Sequence, residues 1–142
     1  MFWKTGVVKR QNIYPTYDLK KKHTQTQSTY KTIWSKARAA CQKLGGDLAV
    51  PTNNKENVAI WNIAKQKSLS HPWIGLVRHK DTKFYTVQGI KVSYTNWSPG
   101  EPNNHKTENC VHLLINTNGH WNDHGCPWNY NFICQQSSIK RK

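Results

Sequence analysis

Acidic residues are scarce in this chain of 142 residues, which has seven Asp and Glu against 21 Lys and Arg. The formal net charge is therefore +14, and much of it lies near the two ends, at Lys4 to Lys22 and at Lys140 to Lys142. A net positive charge of this size favours the binding of polyanions, for example sulfated glycans, anionic bacterial surfaces or nucleic acid. The same charge is also typical of an ordinary basic surface with two solvated tails.

Several other features are missing, and each absence excludes a class of protein. No apolar run is long enough to span a membrane, and the N-terminus lacks the apolar segment of a signal peptide. Internal repeats and low-complexity segments are absent. The chain has no nucleophile elbow, no glycine-rich phosphate loop and no HExxH. Because Glu101, Asp123 and His124 have no nucleophile motif beside them, we predict that the chain is not an enzyme.

Cysteines are few, and no CxxC pair occurs among them. The four cysteines are Cys41, Cys110, Cys126 and Cys134. An even count in a small chain favours two disulfides in an oxidising compartment, and four cysteines allow three pairings. Zinc is the alternative, because three histidines lie between the second and third cysteines: His112, His120 and His124. Structural zinc sites usually have closely paired ligands, so the spacing favours disulfides.

Hydrophobic periodicity predicts two helices in the first half of the chain. Apolar residues recur at three- and four-residue spacing in KTIWSKARAACQKLGG, which predicts a helix capped by Thr32 and ended by Gly45 and Gly46. NKENVAIWNIAKQK predicts a second helix that starts at an asparagine cap, with Glu56 in its first turn. The buried stripe of this second helix is predicted to be Val58, Trp61 and Ala64.

After residue 71 the pattern changes to short apolar runs that are typical of strands. They are PWIGLV, a hairpin in KFYTVQGIKVSYTNW, and then NCVHLLI, GHWND and NYNFICQQ. Helices followed by antiparallel strands indicate an α+β fold. Residues 95–109 form a long loop without hydrophobic periodicity. Loops of this length are usually functional or disordered, and the tryptophan and prolines in this one argue against disorder.

Three of the seven acidic residues lie in this loop or soon after it: Glu101, Glu108 and Asp123. Asn103 and Asn122 add amide oxygens nearby. Ca²⁺ takes six to eight oxygen ligands, and these five side chains with the backbone carbonyl of Asp123 would supply about six. A cis bond before Pro102 would turn the side chains of Glu101 and Asn103 toward one ion. The pattern therefore predicts one Ca²⁺ site.

The motifs around these residues resemble those of the C-type lectin domain family. The EPN triplet at 101–103, Glu108 and the WND triplet at 121–123 are similar to that family's calcium and sugar site. WSKARAACQKLGGDLAV, WIGL and YTNWSPGEPN resemble its first helix, its core signature and the start of its long loop. The likeness spans about residues 30 to 136, and among family members the chain most resembles collectins and surfactant proteins.

The resemblance implies a secreted, extracellular lectin domain at residues 26–136, between basic tails at 1–25 and 137–142. It implies the disulfides Cys41–Cys134 and Cys110–Cys126. It also implies that Ca²⁺ and the sugar share one set of residues: Glu101, Asn103, Glu108, Asn122 and Asp123. Arg78 and Asn104 stand where many relatives have acids for a second Ca²⁺, so we expect one ion. In the family the ion orders the long loop, so we expect Ca²⁺ to raise the melting temperature.

The order Glu then Asn in the EPN triplet is the family's mannose-type arrangement, whereas galactose-type members have Gln and Asp there. It implies binding of mannose, fucose, glucose or N-acetylglucosamine termini in pathogen or cell-surface recognition. One sugar buries little surface, so useful avidity would need several sites, as in a homo-oligomer. Two other functions stay open. One is a cationic protein that binds anionic polysaccharide or bacterial surfaces, without specific nucleic-acid binding, and the other is a protein ligand or toxin subunit.

Aromatic and histidine side chains near the predicted site each have two interpretations. Trp97 and Trp121 are predicted to be core residues rather than stacking platforms for a sugar. Four of the seven histidines lie in or beside the site: His105, His112, His120 and His124. They are either ordinary surface residues or a pH switch, in which protonation near pH 6 would weaken Ca²⁺ binding.

Overall fold

A computed structural model describes residues 30–103 and 106–136, together with the backbone of residues 13–14. Its helices precede most of the strands, as predicted. The predicted hairpin after residue 82 has only one named strand, and its second arm contributes a single bridge between Tyr85 and Lys91. Two short strands that the periodicity does not predict lie before the second helix. In chain order the elements are β1 (Ile13–Tyr14), α1 (Trp34–Lys43), β2 (Gly46–Leu48), α2 (Asn54–Gln66), β3 (Trp73–Arg78), β4 (Phe84–Thr86), β5 (Cys110–Leu114), β6 (His120–His124) and β7 (Cys134–Gln136).

Some of the sequence predictions fall outside the described residues. These are the predicted tails at 1–25 and 137–142, apart from residues 13–14, and also Asn104 and His105. Within the first of these tails, β1 pairs antiparallel with β7. This pairing joins part of the predicted tail to the sheet.

Two antiparallel sheets organise the described chain. The smaller has the strand order β1-β7-β2, and the larger has the order β4-β3-β5-β6. In the larger sheet β5 and β6 pair without a register shift, from Cys110 opposite His124 to Leu114 opposite His120. Asp123 is therefore opposite Val111, at the end of an edge strand that the long loop can reach.

Helix α1 buries the face that the periodicity predicts. Its last residue is Lys43, and the chain leaves the helix through Leu44 and Gly45, whose φ is +92°. The buried residues of the helix are Trp34, Ala37 and Cys41. The predicted Thr32 cap is wrong, because the helix starts after Ile33, which makes no side-chain cap bond. The backbone of Thr32 instead pairs with that of Tyr130, where the N–H of each residue donates to the carbonyl of the other at 2.9 and 3.0 Å.

Helix α2 begins at the predicted asparagine cap. The side chain of Asn53 accepts a hydrogen bond from the N–H of Glu56, and the Glu56 carboxylate accepts from the N–H and the hydroxyl of Thr52. These bonds satisfy donors that the first turn of a helix leaves free.

The predicted buried stripe of α2 is wrong at Val58, which is 36% exposed. Trp61 is partly buried and packs against the core. The residues that are buried are Asn57, Ile60 and Ala64. The polar side chain of Asn57 can be buried because its amide donates to the carbonyl of Gly119 and accepts from the indole N–H of Trp121.

Both disulfides that the resemblance implied are present. Cys41–Cys134 joins α1 to β7, and Cys110–Cys126 joins β5 to the segment after β6. The zinc alternative is wrong, because Cys110 and Cys126 are bonded to each other. The α+β fold with two helices and antiparallel strands is thus confirmed. Among the described residues, no helix has the length and apolar character to cross a membrane.

Candidate functional site

Backbone hydrogen bonds hold the start of the long loop against β6. The carbonyl of Asn96 accepts from the N–H of Trp121 at 2.8 Å, and the N–H of Ser98 donates to the Trp121 carbonyl at 2.9 Å. The N–H of Glu101 then donates to the carbonyl of Ser98 at 2.9 Å. The peptide bond before Pro102 is cis, as predicted. These contacts bring Glu101 beside the end of β6.

Tryptophans pack beneath this part of the loop. Trp121 is fully buried, and Trp97 packs on it edge to face with ring centres 5.4 Å apart. Trp97 also contacts Phe84, at 4.8 Å between ring centres. The prediction that these tryptophans belong to the core is confirmed, and their rings support the loop from within.

Three carboxylates of the predicted ion site converge at this point. Oxygen atoms of Glu101, Glu108 and Asp123 all lie within 4.8 Å of one another. Asp123 is fully buried, whereas the two glutamates are partly exposed. Oε1 of Glu101 is buried and has no hydrogen-bond partner among the described residues. Three acids this close together, with one unpartnered buried oxygen, form a site that favours a cation.

The charge of this acidic cluster changes the titration of Glu101. Burial raises the pKa of Glu101 to about 7, and the hydrogen bond with Asp123, its negative charge and that of Glu108 act in the same direction. Near neutral pH the cluster therefore holds a proton in part of the molecules. A dication that binds there would displace this proton and relieve the repulsion.

Arg78 lies against the cluster, although sequence motifs placed it only at a lost second ion site. Its Nη2 is 2.6 Å from Oδ2 of Asp123, and the side chains of this pair are 7% and 0% exposed. The same nitrogen donates to the backbone carbonyls of Asn103 and Glu108, both at 3.1 Å. The only sequence signal for this contact is the position of Arg78 at the end of the buried WIGLVR strand.

The two predicted amide ligands are placed differently from the carboxylates. Asn103 contributes its backbone N–H, which donates to both carboxylate oxygens of Asp123 at 3.0 and 2.9 Å. Nδ2 of Asn122 lies 2.9 Å from Nε2 of His112, the residue opposite it on β5. Successive side chains of a strand point to opposite faces, so Asn122 and Asp123 face different sides of β6. The structure thus brings the carboxylates together, whereas the Asn122 amide nitrogen is hydrogen-bonded to the ring of His112.

The histidines predicted as a switch occupy different environments. His112 is 2% exposed, and its pKa is lowered to about 3 by burial and by the neighbouring His124 and His71. The interpretation of His112 as a surface residue is therefore wrong, and its lowered pKa argues against a charge change of this ring near pH 6. His105 lies outside the described residues, and His120 is partly exposed.

Comparisons with solved structures agree with the fold. The carbohydrate-recognition domain of the mouse scavenger receptor C-type lectin is 29% identical, with 78% of this chain and 87% of that chain covered and a TM-score of 0.67. The cow CD23 carbohydrate-recognition domain, in the presence of a GlcNAc2Man3 oligosaccharide, is 29% identical, with 79% and 85% covered and a TM-score of 0.67. A calcium-independent type II antifreeze protein is 23% identical, with 94% and 92% covered and a TM-score of 0.75.

The family model of the lectin C-type domain matches residues 30–136. This match covers most of the chain and has the same limits as the likeness in the sequence motifs. The finer likeness to collectins and surfactant proteins stays a prediction. Because the family model, the fold and both disulfides agree, this chain belongs to the C-type lectin domain family.

Proposed function

We propose that this chain is a Ca²⁺-dependent lectin that binds glycans with mannose-type termini at the end of β6. The observation that carries this proposal is the convergence of Glu101, Glu108 and Asp123 around the unpartnered Oε1 of Glu101. In this family the EPN and WND triplets are where Ca²⁺ and sugar bind. Nothing in the chain points to an enzymatic activity.

The oxygen donors of the cluster fit Ca²⁺. It is a hard cation that takes carboxylate, carbonyl and amide oxygens, and the three acids supply the carboxylates. The pKa of Glu101 is raised to about 7 by burial and by the adjacent carboxylates, so near neutral pH the ion would replace a proton in part of the molecules. Bound Ca²⁺ supplies positive charge and open coordination positions for two neighbouring sugar hydroxyls. One ion is proposed, since Arg78 and Asn104 stand where many relatives have acids for a second Ca²⁺.

Hydrogen bonds from the protein would select the sugar. The carboxylates of Glu101 and Glu108 accept from its hydroxyls, and the amide of Asn103 donates to one of them. The resemblance gives Asn122 the second donor, but its amide nitrogen is already engaged by His112. This amide nitrogen carries two hydrogens, so the contact with His112 leaves it one further donor. A single sugar buries little surface, so its binding would be weak, and avidity would come from several sites.

The preference for mannose-type sugars rests on the order Glu then Asn in the EPN triplet. The cow CD23 domain, solved in the presence of GlcNAc2Man3, supports this class of ligand. Fucose, glucose and N-acetylglucosamine share the neighbouring equatorial hydroxyls of mannose. We therefore propose a secreted protein that recognises such termini on pathogen or cell surfaces.

Retention on immobilised mannan tests this function. At physiological salt with millimolar Ca²⁺, we expect the chain to be retained, and then released by EDTA or by free mannose but not by galactose. The matched control is Asp81→Asn, which changes an exposed acid outside the cluster and should be retained like the original chain. Retention that EDTA leaves unchanged would overturn the proposal.

A second candidate function is binding of anionic polysaccharide or bacterial surfaces. Three of the seven acids form the cluster, and Asp47 is paired with Arg38 at 3.0 Å. Only Asp18, Glu56 and Asp81 are left to offset the other basic residues. The seven acids together offset only a third of the 21 Lys and Arg, which leaves the net charge of +14.

Salt dependence distinguishes this second function from the first. On an immobilised sulfated polysaccharide, we expect elution by rising NaCl with no effect of EDTA, because the attraction comes from released counterions. Removal of Lys140 to Lys142 should shift elution to lower salt. Elution at the same salt after this truncation would show that Lys140, Arg141 and Lys142 take no part.

A further inference from the structure

The guanidinium of Arg78 connects three separate parts of the site. Its Nη2 is bonded to the Asp123 carboxylate on β6 and to the carbonyls of Asn103 and Glu108. These two carbonyls lie on either side of the middle of the long loop, which includes Lys106. One nitrogen thus holds both arms of the loop and the end of β6 together.

Packing fixes the position of this guanidinium. Arg78 ends β3, and its N–H donates to the carbonyl of Asn109 at 2.8 Å, so its backbone belongs to the sheet. The guanidinium carbon lies 4.5 Å from the centre of the Phe84 ring, at a distance typical of a cation–π contact. The side chain is only 7% exposed, unlike that of a mobile surface arginine. The contact is therefore part of the folded scaffold.

The bonding of Arg78 is similar in kind to that of a bound metal ion. A positive group meets a carboxylate and two backbone carbonyls, which are the oxygen types that hard cations take. The positive charge of an arginine belongs to the chain itself, so no ion has to bind from solution to supply it. Asp123 is thus paired with a positive group of the chain itself, whereas Glu101 and Glu108 have no salt-bridge partner among the described residues.

We infer that Arg78 is a positioning residue that keeps the long loop closed on β6 when no Ca²⁺ is bound. The inference rests on the proposed function only in that this loop is the proposed sugar site. It modifies the expectation from the family, in which the ion orders the loop. In this chain the two arms of the loop are already joined through Arg78, so the ion completes a site that is largely formed.

Trypsin cleavage after Lys106 measures whether the loop is closed. Lys106 is exposed and lies between the two residues whose carbonyls Arg78 holds, so release of either carbonyl should make the peptide bond after Lys106 easier for trypsin to cleave. The full chain in EDTA is treated with trypsin, and peptides that end at Lys106 are followed by mass spectrometry. In Arg78→Met, which retains an apolar stem on Phe84, we expect this cleavage to be at least about tenfold faster. Added Ca²⁺ should slow it again.

Two further variants make the result decisive. Arg38→Met removes a second arginine–carboxylate pair of the described residues, with Asp47, and should be cleaved after Lys106 like the original. If Arg78→Met does not fold because Asp123 is left buried and unpaired, the double variant with Asp123→Asn removes both charges. Its loop should also be cleaved faster in EDTA. Equal rates in the original chain and in the folded Arg78 variant would overturn the inference.

Failure of this inference differs from failure of the proposed function. A chain that is not retained on mannan has no sugar site of the proposed kind, whatever the cleavage rates are. If the chain is retained on mannan and released by EDTA, but is cleaved at the same rate with and without Arg78, the proposed function is supported and the inference about Arg78 is wrong. The two measurements therefore answer separate questions.

Discussion

Replacement of Asp123 by alanine is expected to lower the free energy of unfolding in EDTA by about 3 to 5 kcal/mol. Asp123 is fully buried, and it accepts hydrogen bonds from the Arg78 guanidinium and from the N–H of Asn103. Alanine would leave a nearly buried positive charge without its carboxylate, and it would leave the N–H unsatisfied. The effect does not depend on Ca²⁺, because the bonds that are lost lie within the chain.

The neighbouring substitution Glu101→Gln is expected to behave in the opposite way in EDTA. Glu101 has a buried oxygen without a partner, and its pKa is raised to about 7 by burial and the adjacent carboxylates. The amide removes that negative charge from an acidic cluster, so stability at pH 7.5 should stay within about 0.5 kcal/mol of the original or rise. Both substitutions should nevertheless abolish the rise in melting temperature that Ca²⁺ gives by mass action.

Denaturant unfolding in EDTA and in millimolar Ca²⁺ measures both effects. Asp81→Asn is the matched control, because Asp81 is an exposed acid on the turn between β3 and β4. It should leave the Ca²⁺ effect unchanged. An Asp123→Ala variant as stable in EDTA as the original would show that the pair with Arg78 contributes nothing. A Glu101→Gln variant that keeps the full Ca²⁺ effect would remove Glu101 from the ion site.

Local patterns in the sequence were sufficient to predict the carboxylate cluster and the main elements. Glu101 and Asp123 could be recognised because each lies in a short, contiguous motif, EPN and WND. The cap of α2 and the end of α1 at Gly45 depend on neighbouring residues only, and both predictions are confirmed. The disulfide pairing followed from the family and not from the cysteine spacing.

Contacts between distant residues could not be read from these patterns. Asn57 breaks the apolar stripe of α2 because its partners, Gly119 and Trp121, lie more than 60 residues further along the chain. Arg78 reaches Asp123 across 45 residues, and its family position suggested only a missing second ion. Asn122 is part of the WND triplet, but the register of β5 and β6 places it opposite His112. In each case a polar side chain is positioned by tertiary hydrogen bonds, which periodicity does not describe.

Lowering the pH from 7.5 to 5.0 is expected to cost the native state about 2 kcal/mol through His112 alone. Burial, with the nearby His124 and His71, lowers the pKa of His112 from 6.5 to about 3. The unfolded chain therefore binds a proton at this ring below about pH 6.5, while the native chain does not until about pH 3. The stability is complete above pH 6.5 and is lost progressively as the pH falls toward 3.

His112→Gln tests this source of acid sensitivity, since glutamine does not titrate and still offers an acceptor to the Asn122 amide. Free energies of unfolding are measured in EDTA at pH 7.5 and 5.0, with His79→Gln, at an exposed position, as the control. The variant should lose about 2 kcal/mol less than the original chain, and the control should lose as much as the original. Equal losses in all three would mean that His112 is protonated in the native state. In that case the positive charge of His112 would lie next to Asn122, and protonation of this histidine could weaken Ca²⁺ binding near pH 6.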